Sequence, residues 1–150
     1  MASRAILLVA LASLLVNSVG RADDPKLPGS FFKPEDHLSE WNIVFLGKII
    51  DAGPPQAIFA ESMMSFHQIK IEASQVMKGS FDGRSLVNVG VFAGEEIPKA
   101  GGTYIFFEAK TIYAPDQENA PDHELVTKLV PATDDNIARV KALIAQVPAK

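Results

Sequence analysis

Cysteine is absent from the 150-residue sequence, which excludes a disulfide framework and a lipid attached through a thiol, and leaves stability to the hydrophobic core. Also missing are a Gly-x-Ser-x-Gly elbow, a glycine-rich phosphate loop and a His-Glu-x-x-His pair, so no recognisable catalytic constellation is present and no enzyme activity is expected. Basic residues are few and unclustered: 14 Lys and Arg stand against 18 Asp and Glu. Nucleic-acid affinity comes mostly from Lys and Arg at phosphates, so that balance argues against a polyanion partner. Only one apolar run is long, Ala5 to Val16, and it falls short of the roughly 20 residues a membrane span needs.

That run identifies its own role. Met1 to Arg4 is positively charged, Ala5 to Val16 is apolar, and Asn17 to Ala22 is polar and small. Charged, apolar and small segments in that order form a secretory signal peptide, residues 1–22. Gly20 and Ala22 suit cleavage before Asp23; Ser18 and Gly20 suit cleavage two residues earlier. Loss of residues 1–22 removes Arg4 and Arg21 and no acid, leaving 12 bases against 18 acids and a net charge near −6. The mature protein is expected to be secreted or periplasmic, without a membrane anchor.

Residues 23–34 hold Pro25, Pro28, Gly29 and Pro34 and are expected to be an extended leader. Phe31 and Phe32 within it either pin the leader to the body or form a patch for a partner. Residues 35–150 then form a single domain. Pro34 to Trp41 suits one or two helical turns with Leu38 and Trp41 on one face.

The domain is mainly β. Asn42 to Ile50 is rich in β-branched and aromatic residues, with Gly47 predicting a bulge or bend and Asp51 to Pro55 predicted to end the strand. Ile58 and Phe59 are candidates to begin the returning strand. From Phe66 the pattern alternates: His67, Ile69, Ile71 and Ala73 on one face, Gln68, Lys70, Glu72 and Ser74 on the other. Lys78 to Gly83 turns the chain, and Val87, Val89 and Val91 mark the next strand. Gly101 and Gly102 launch Thr103 to Lys110, whose Tyr-Ile-Phe-Phe run predicts burial on both faces. Glu124 to Val130 is the last strand. A terminal helix follows, with Thr133 as N-cap, Asp134 and Asp135 in the first turn, and a stripe of Ile137, Val140, Leu143, Ile144 and Val147 to pack on the strands. This strand count suits a closed barrel or a small two-sheet sandwich.

Ile43 to Ile50, Val76-Met-Lys-Gly79, Gly83 with Val87-Asn-Val89, and Ala100 to Phe107 together resemble the netrin-like module of tissue inhibitors of metalloproteinases and related bacterial exported proteins. The resemblance covers roughly Trp41 to Ala109 and implies an OB-type barrel of five or six strands with the C-terminal helix packed on it. Inhibitors of that family chelate the protease zinc through an N-terminal cysteine. This chain has none, so the resemblance carries the fold without the inhibitory residues.

Candidate functional residues are sparse. His37 and His123 each lie beside carboxylates, but neither spacing is a ligand motif, and no metal or cofactor is expected. His67 shares a face with Ile69 and Ile71 and reads as a partly buried core histidine. The loops from Gly94 to Lys99 and from Tyr113 to Asn119 read as solvated rim loops, with Tyr113 the one aromatic positioned to meet a ligand. The expected function is a non-enzymatic exported module that recognises an extracytoplasmic protein through Tyr113, Phe31 and Phe32. A binder of carbohydrate or a small ligand of the cell envelope is the alternative.

Overall fold

The computed structural model describes residues 26–30, 33, 38–59, 64–109 and 125–148. Five strands, β1 (Ile43–Phe59), β2 (Met64–Lys78), β3 (Leu86–Phe92), β4 (Thr103–Ala109) and β5 (Leu125–Pro131), close into a barrel in the order β1-β2-β3-β5-β4. One helix, α1 (Asp134–Gln146), ends the described chain. All neighbours are antiparallel except β3 and β5, which meet in parallel through Val89 and Val126. The two-sheet sandwich is thereby replaced by a closed ring.

β1 bends so that one strand can serve two parts of the barrel. Residues Ile43 to Lys48 lie between β2 and β4, Ile49 still bonds Gly101 and Gly102 just before β4, and from Asp51 the pairing is with β2. A register shift falls at Leu46/Gly47, where the bend was expected, and another follows at Ile49/Asp51. A Cβ on Gly47 would come within 3.2 Å of the Phe106 ring and 3.4 Å of Glu72 O, so a side chain there would press on both neighbours.

The predicted stop at Asp51 to Pro55 is overturned, as is the start of the returning strand at Ile58: β1 runs through both prolines to Phe59, and β2 begins at Met64. The reason is position. Past Lys48 this strand has no β4 neighbour, so Pro54 and Pro55 can sit on an edge where a missing N–H leaves no ladder bond unmade. Further register shifts at Ala52/Pro55 and Pro55/Ala57 absorb them.

Two apolar clusters follow from strand alternation. Inside the barrel lie Phe45, Ile49, Ile69, Ile71, Val87, Val89, Val91, Phe106, Val126 and Leu129. Phe106 stacks on Phe45 at 4.9 Å, and Phe81 from the β2–β3 turn stacks on Phe45 at 4.4 Å to close one end. Outside, the other face of β4 sends Ile105 and Phe107 into a cluster with Leu38, Trp41, Val44, Leu46 and Val140. β4 is thus buried on both faces, as its apolar run predicts. Each such side chain contributes roughly 1.5–3 kcal/mol on leaving water.

α1 covers the outer cluster with Ile137, Val140, Leu143, Ile144 and Val147, the predicted stripe. Thr133 Oγ1 accepts from Asn136 N at 3.2 Å, and Asp134 and Asp135 lie in the first turn. At 13 residues α1 is too short to be stable alone, so this packing holds it. Trp41 meets Phe107 at 4.8 Å and donates its indole N–H to Thr127 Oγ1 at 3.1 Å. Leu38 and Trp41 enter one cluster from a turn at residues 38–40, where a helical turn was expected, and their carbonyls accept from Lys78 Nζ at 2.7 and 2.6 Å.

Candidate functional site

Three polar groupings interrupt the apolar framework. The most extensive lies where β3 and β5 part. Beyond their bridge at Val89 and Val126, the gap between the two strands is filled by the leader, Lys26 to Ser30. Lys26 pairs in parallel with Glu95, and Lys26 O accepts from Glu96 N at 2.9 Å. On the opposite side Pro28 O accepts from Leu129 N at 3.0 Å.

The leader is a turn here, where an extended segment was expected. Ser30 N donates to Leu27 O at 3.1 Å, with Pro28 and Gly29 between them and Gly29 at φ 71°. Proline followed by a residue of positive φ defines a type II turn. A Cβ on Gly29 would lie 2.2 Å from Thr127 O, so glycine is required both by dihedral and by space.

Two buried charges hold that turn. Glu95, 6% exposed, accepts through Oε1 from Ser30 N at 3.2 Å and Ser30 Oγ at 3.4 Å, and through Oε2 from Phe92 N at 3.1 Å. Lys128, 5% exposed, donates to Gly29 O at 2.9 Å. Burial pushes the Lys128 amine below the usual lysine range, and the Glu95 carboxylate opposes that shift. The loop from Gly94 to Lys99 is therefore not wholly a solvated rim: its Glu95 is an interior anchor.

At the end of the barrel closed by Phe81, Glu108 is fully buried and forms an ion pair with Arg84. The Arg84 guanidinium also lies 5.1 Å from the Phe81 ring centre and 3.4 Å from Asp82. Carboxylate, cation and aromatic ring make this a plug for the barrel end.

The third grouping contains His67, half-buried as expected, with Nδ1 3.4 Å from Gly53 O and Nε2 3.2 Å from Ser65 Oγ. Ser65 Oγ also lies 3.4 Å from Val91 O. The serine was not foreseen as its neighbour, although two residues apart on one strand places side chains on one face. These contacts join β1, β2 and β3 across the barrel wall.

Tyr113, Phe31 and Phe32, predicted to contact a partner, lie outside the described residues, as do His37, His123 and the signal segment. Among the described residues no group of three or more His, Cys, Asp or Glu side chains comes together. No described helix is long and apolar enough to cross a membrane. No protein-family model and no curated protein matches the chain.

Proposed function

We propose that the chain is an exported, non-enzymatic binding module of OB type that recognises an extracytoplasmic protein. One observation carries this reading: the barrel is covered unequally. The outer face of β4, together with Val44 and Leu46 of β1, is buried beneath α1, Leu38 and Trp41, whereas further round the barrel Ile50 of β1 and Leu86 of β3 are 39% and 46% exposed. Register sets Leu86 opposite Lys70 on one side and Asp51 on the other, with Ile50 in the register shift beside Asp51 and Gln68 and Glu72 also on β2. Apolar residues interspersed with charge match the composition of a non-obligate protein interface. The prolines of β1 keep the neighbouring edge from pairing with another sheet.

Five strands with two non-consecutive neighbour pairs, β3–β5 and β1–β4, are compatible with the Greek-key barrel of the OB class, and with the netrin-like resemblance of Trp41 to Ala109. Export rests on the charged, apolar and small segments of residues 1–22.

An affinity capture with tagged mature protein, Asp23 to Lys150, against extracytoplasmic extract of its own source tests the reading. A stoichiometric, salt-resistant protein is expected, lost on Ile50→Asp with Leu86→Asp in a chain that keeps its β-sheet spectrum. Capture undiminished by the pair, or no protein captured, refutes it. A glycan array positive where the capture is blank establishes the carbohydrate alternative. Tyr113→Ala in the same capture tests the predicted rim contact.

A further inference from the structure

The leader is built into the barrel wall a few residues from the predicted signal-cleavage site. Pro28 and Gly29 are buried and Leu27 is half-buried. Hydrogen bonds hold the segment along its length: Lys26 O accepts from Glu96 N, Pro28 O from Leu129 N and Gly29 O from Lys128 Nζ, while Ser30 N donates to Glu95 Oε1. Lifting it out would expose the proline, deprive two buried charges of partners and open the gap between β3 and β5, so the seated state persists.

Chain length turns that anchorage into a constraint on processing. Asp23, Asp24 and Pro25 alone separate the Ala22–Asp23 bond from Lys26, a reach of roughly 10–13 Å; the earlier bond, Gly20–Arg21, has roughly 17–20 Å. A domain of this size has a radius of gyration of about 14 Å, so a seated leader keeps either bond close to the barrel. A peptidase needs extended backbone on both sides of the bond it cuts, and backbone anchored by burial and hydrogen bonds resists it. With the leader out of the gap, the next anchor among the described residues is Leu38, held by Lys78, and the free reach grows to roughly 50 Å.

We propose that the leader orders the maturation of this protein: seating of Lys26 to Ser30 between β3 and β5 closes the cleavage site to signal peptidase, so cleavage precedes completion of the barrel, and a chain that completes its barrel first keeps residues 1–22. The reaction is hydrolysis of a peptide bond, in which water supplies the new carboxyl oxygen of Ala22 and a proton to the new amine of Asp23. This ordering rests on the export reading of residues 1–22 and is independent of the exposed Ile50 and Leu86.

The test incubates the full chain, residues 1–150, with signal peptidase in detergent micelles. Chain folded beforehand is expected to be cut at least about tenfold more slowly than chain diluted from urea directly into the peptidase, because cutting follows the population with the leader out. A linker of about 12 Gly and Ser residues inserted between Asp24 and Pro25 restores the reach without touching the seat. That variant, folded beforehand, should be cut nearly as fast as the unfolded chain, while slow amide exchange at Leu129 and Glu96 reports that its leader is still seated. Equal rates for folded and unfolded wild type, or a seated linker variant as slow as folded wild type, overturn the proposal. Should the linker variant not fold, Gly29→Ala, whose methyl group collides with Thr127 O, takes its place. It must be cut faster than wild type while keeping its β-sheet spectrum, and a rate equal to wild type overturns the proposal. No cleavage of the unfolded chain refutes the export reading itself, and the ordering falls with it.

Discussion

Lys128 offers the most direct test of the energetics. Its ammonium is almost wholly buried, donates to Gly29 O and lies near Glu95. Removing it with Lys128→Met deletes one hydrogen bond to a buried carbonyl, worth about 1–3 kcal/mol when left unmade, and deprives a buried carboxylate of its cation. Glu95 keeps its donors Ser30 N, Ser30 Oγ and Phe92 N, so the expected loss at neutral pH is that of the hydrogen bond, about 1–3 kcal/mol.

The pH dependence has a definite sign. Because burial lowers the folded pKa below 10.5, the unfolded chain binds more protons between the lowered value and 10.5. Stability contributed through this group therefore rises with pH across that window and levels off above it. Lys128→Met abolishes the rise. Urea denaturation of both proteins from pH 7 to above 10.5, read by far-ultraviolet circular dichroism, checks both points: the gap between wild type and variant should widen as pH increases. Parallel curves, or a gap that narrows, would refute the placement of a charged amine in that gap. Adding Glu95→Gln to Lys128→Met should cost less than the two single changes together, since the pair shares one site.

Two further outcomes follow from the packing. Phe107→Ala empties the centre of the cluster beneath α1, with Trp41 and Val140 around it, and is expected to lower the unfolding free energy by about 3–5 kcal/mol in urea; a loss below about 1 kcal/mol would mean α1 is not seated there. Arg84→Ala takes the ion-pair partner from fully buried Glu108 and should cost about 3–5 kcal/mol, with much of it recovered in the Arg84→Ala, Glu108→Leu double variant. Additive losses would contradict a shared site.

Local chemistry determined a large part of this protein. The alternation from Phe66, the valine strand, the doubly apolar run at Ile105 to Phe107, the Thr133 cap and the helical stripe each depend on residues a few positions apart, so the sequence alone predicts them. The charged, apolar and small segments of the first 22 residues likewise follow from order and composition. Tertiary structure decided the rest. Pro54 and Pro55 end a strand or continue it according to whether a neighbour needs their N–H, and that depends on where β4 stops. Glu95, Lys128 and Glu108 look like surface residues because the partners that permit their burial come from distant segments: Ser30 is 65 residues from Glu95, and Arg84 is 24 from Glu108. No spacing rule links such pairs. A leader rich in proline and glycine can be a free tail or a seated turn, and only closure of the barrel around the gap between β3 and β5 selects the turn.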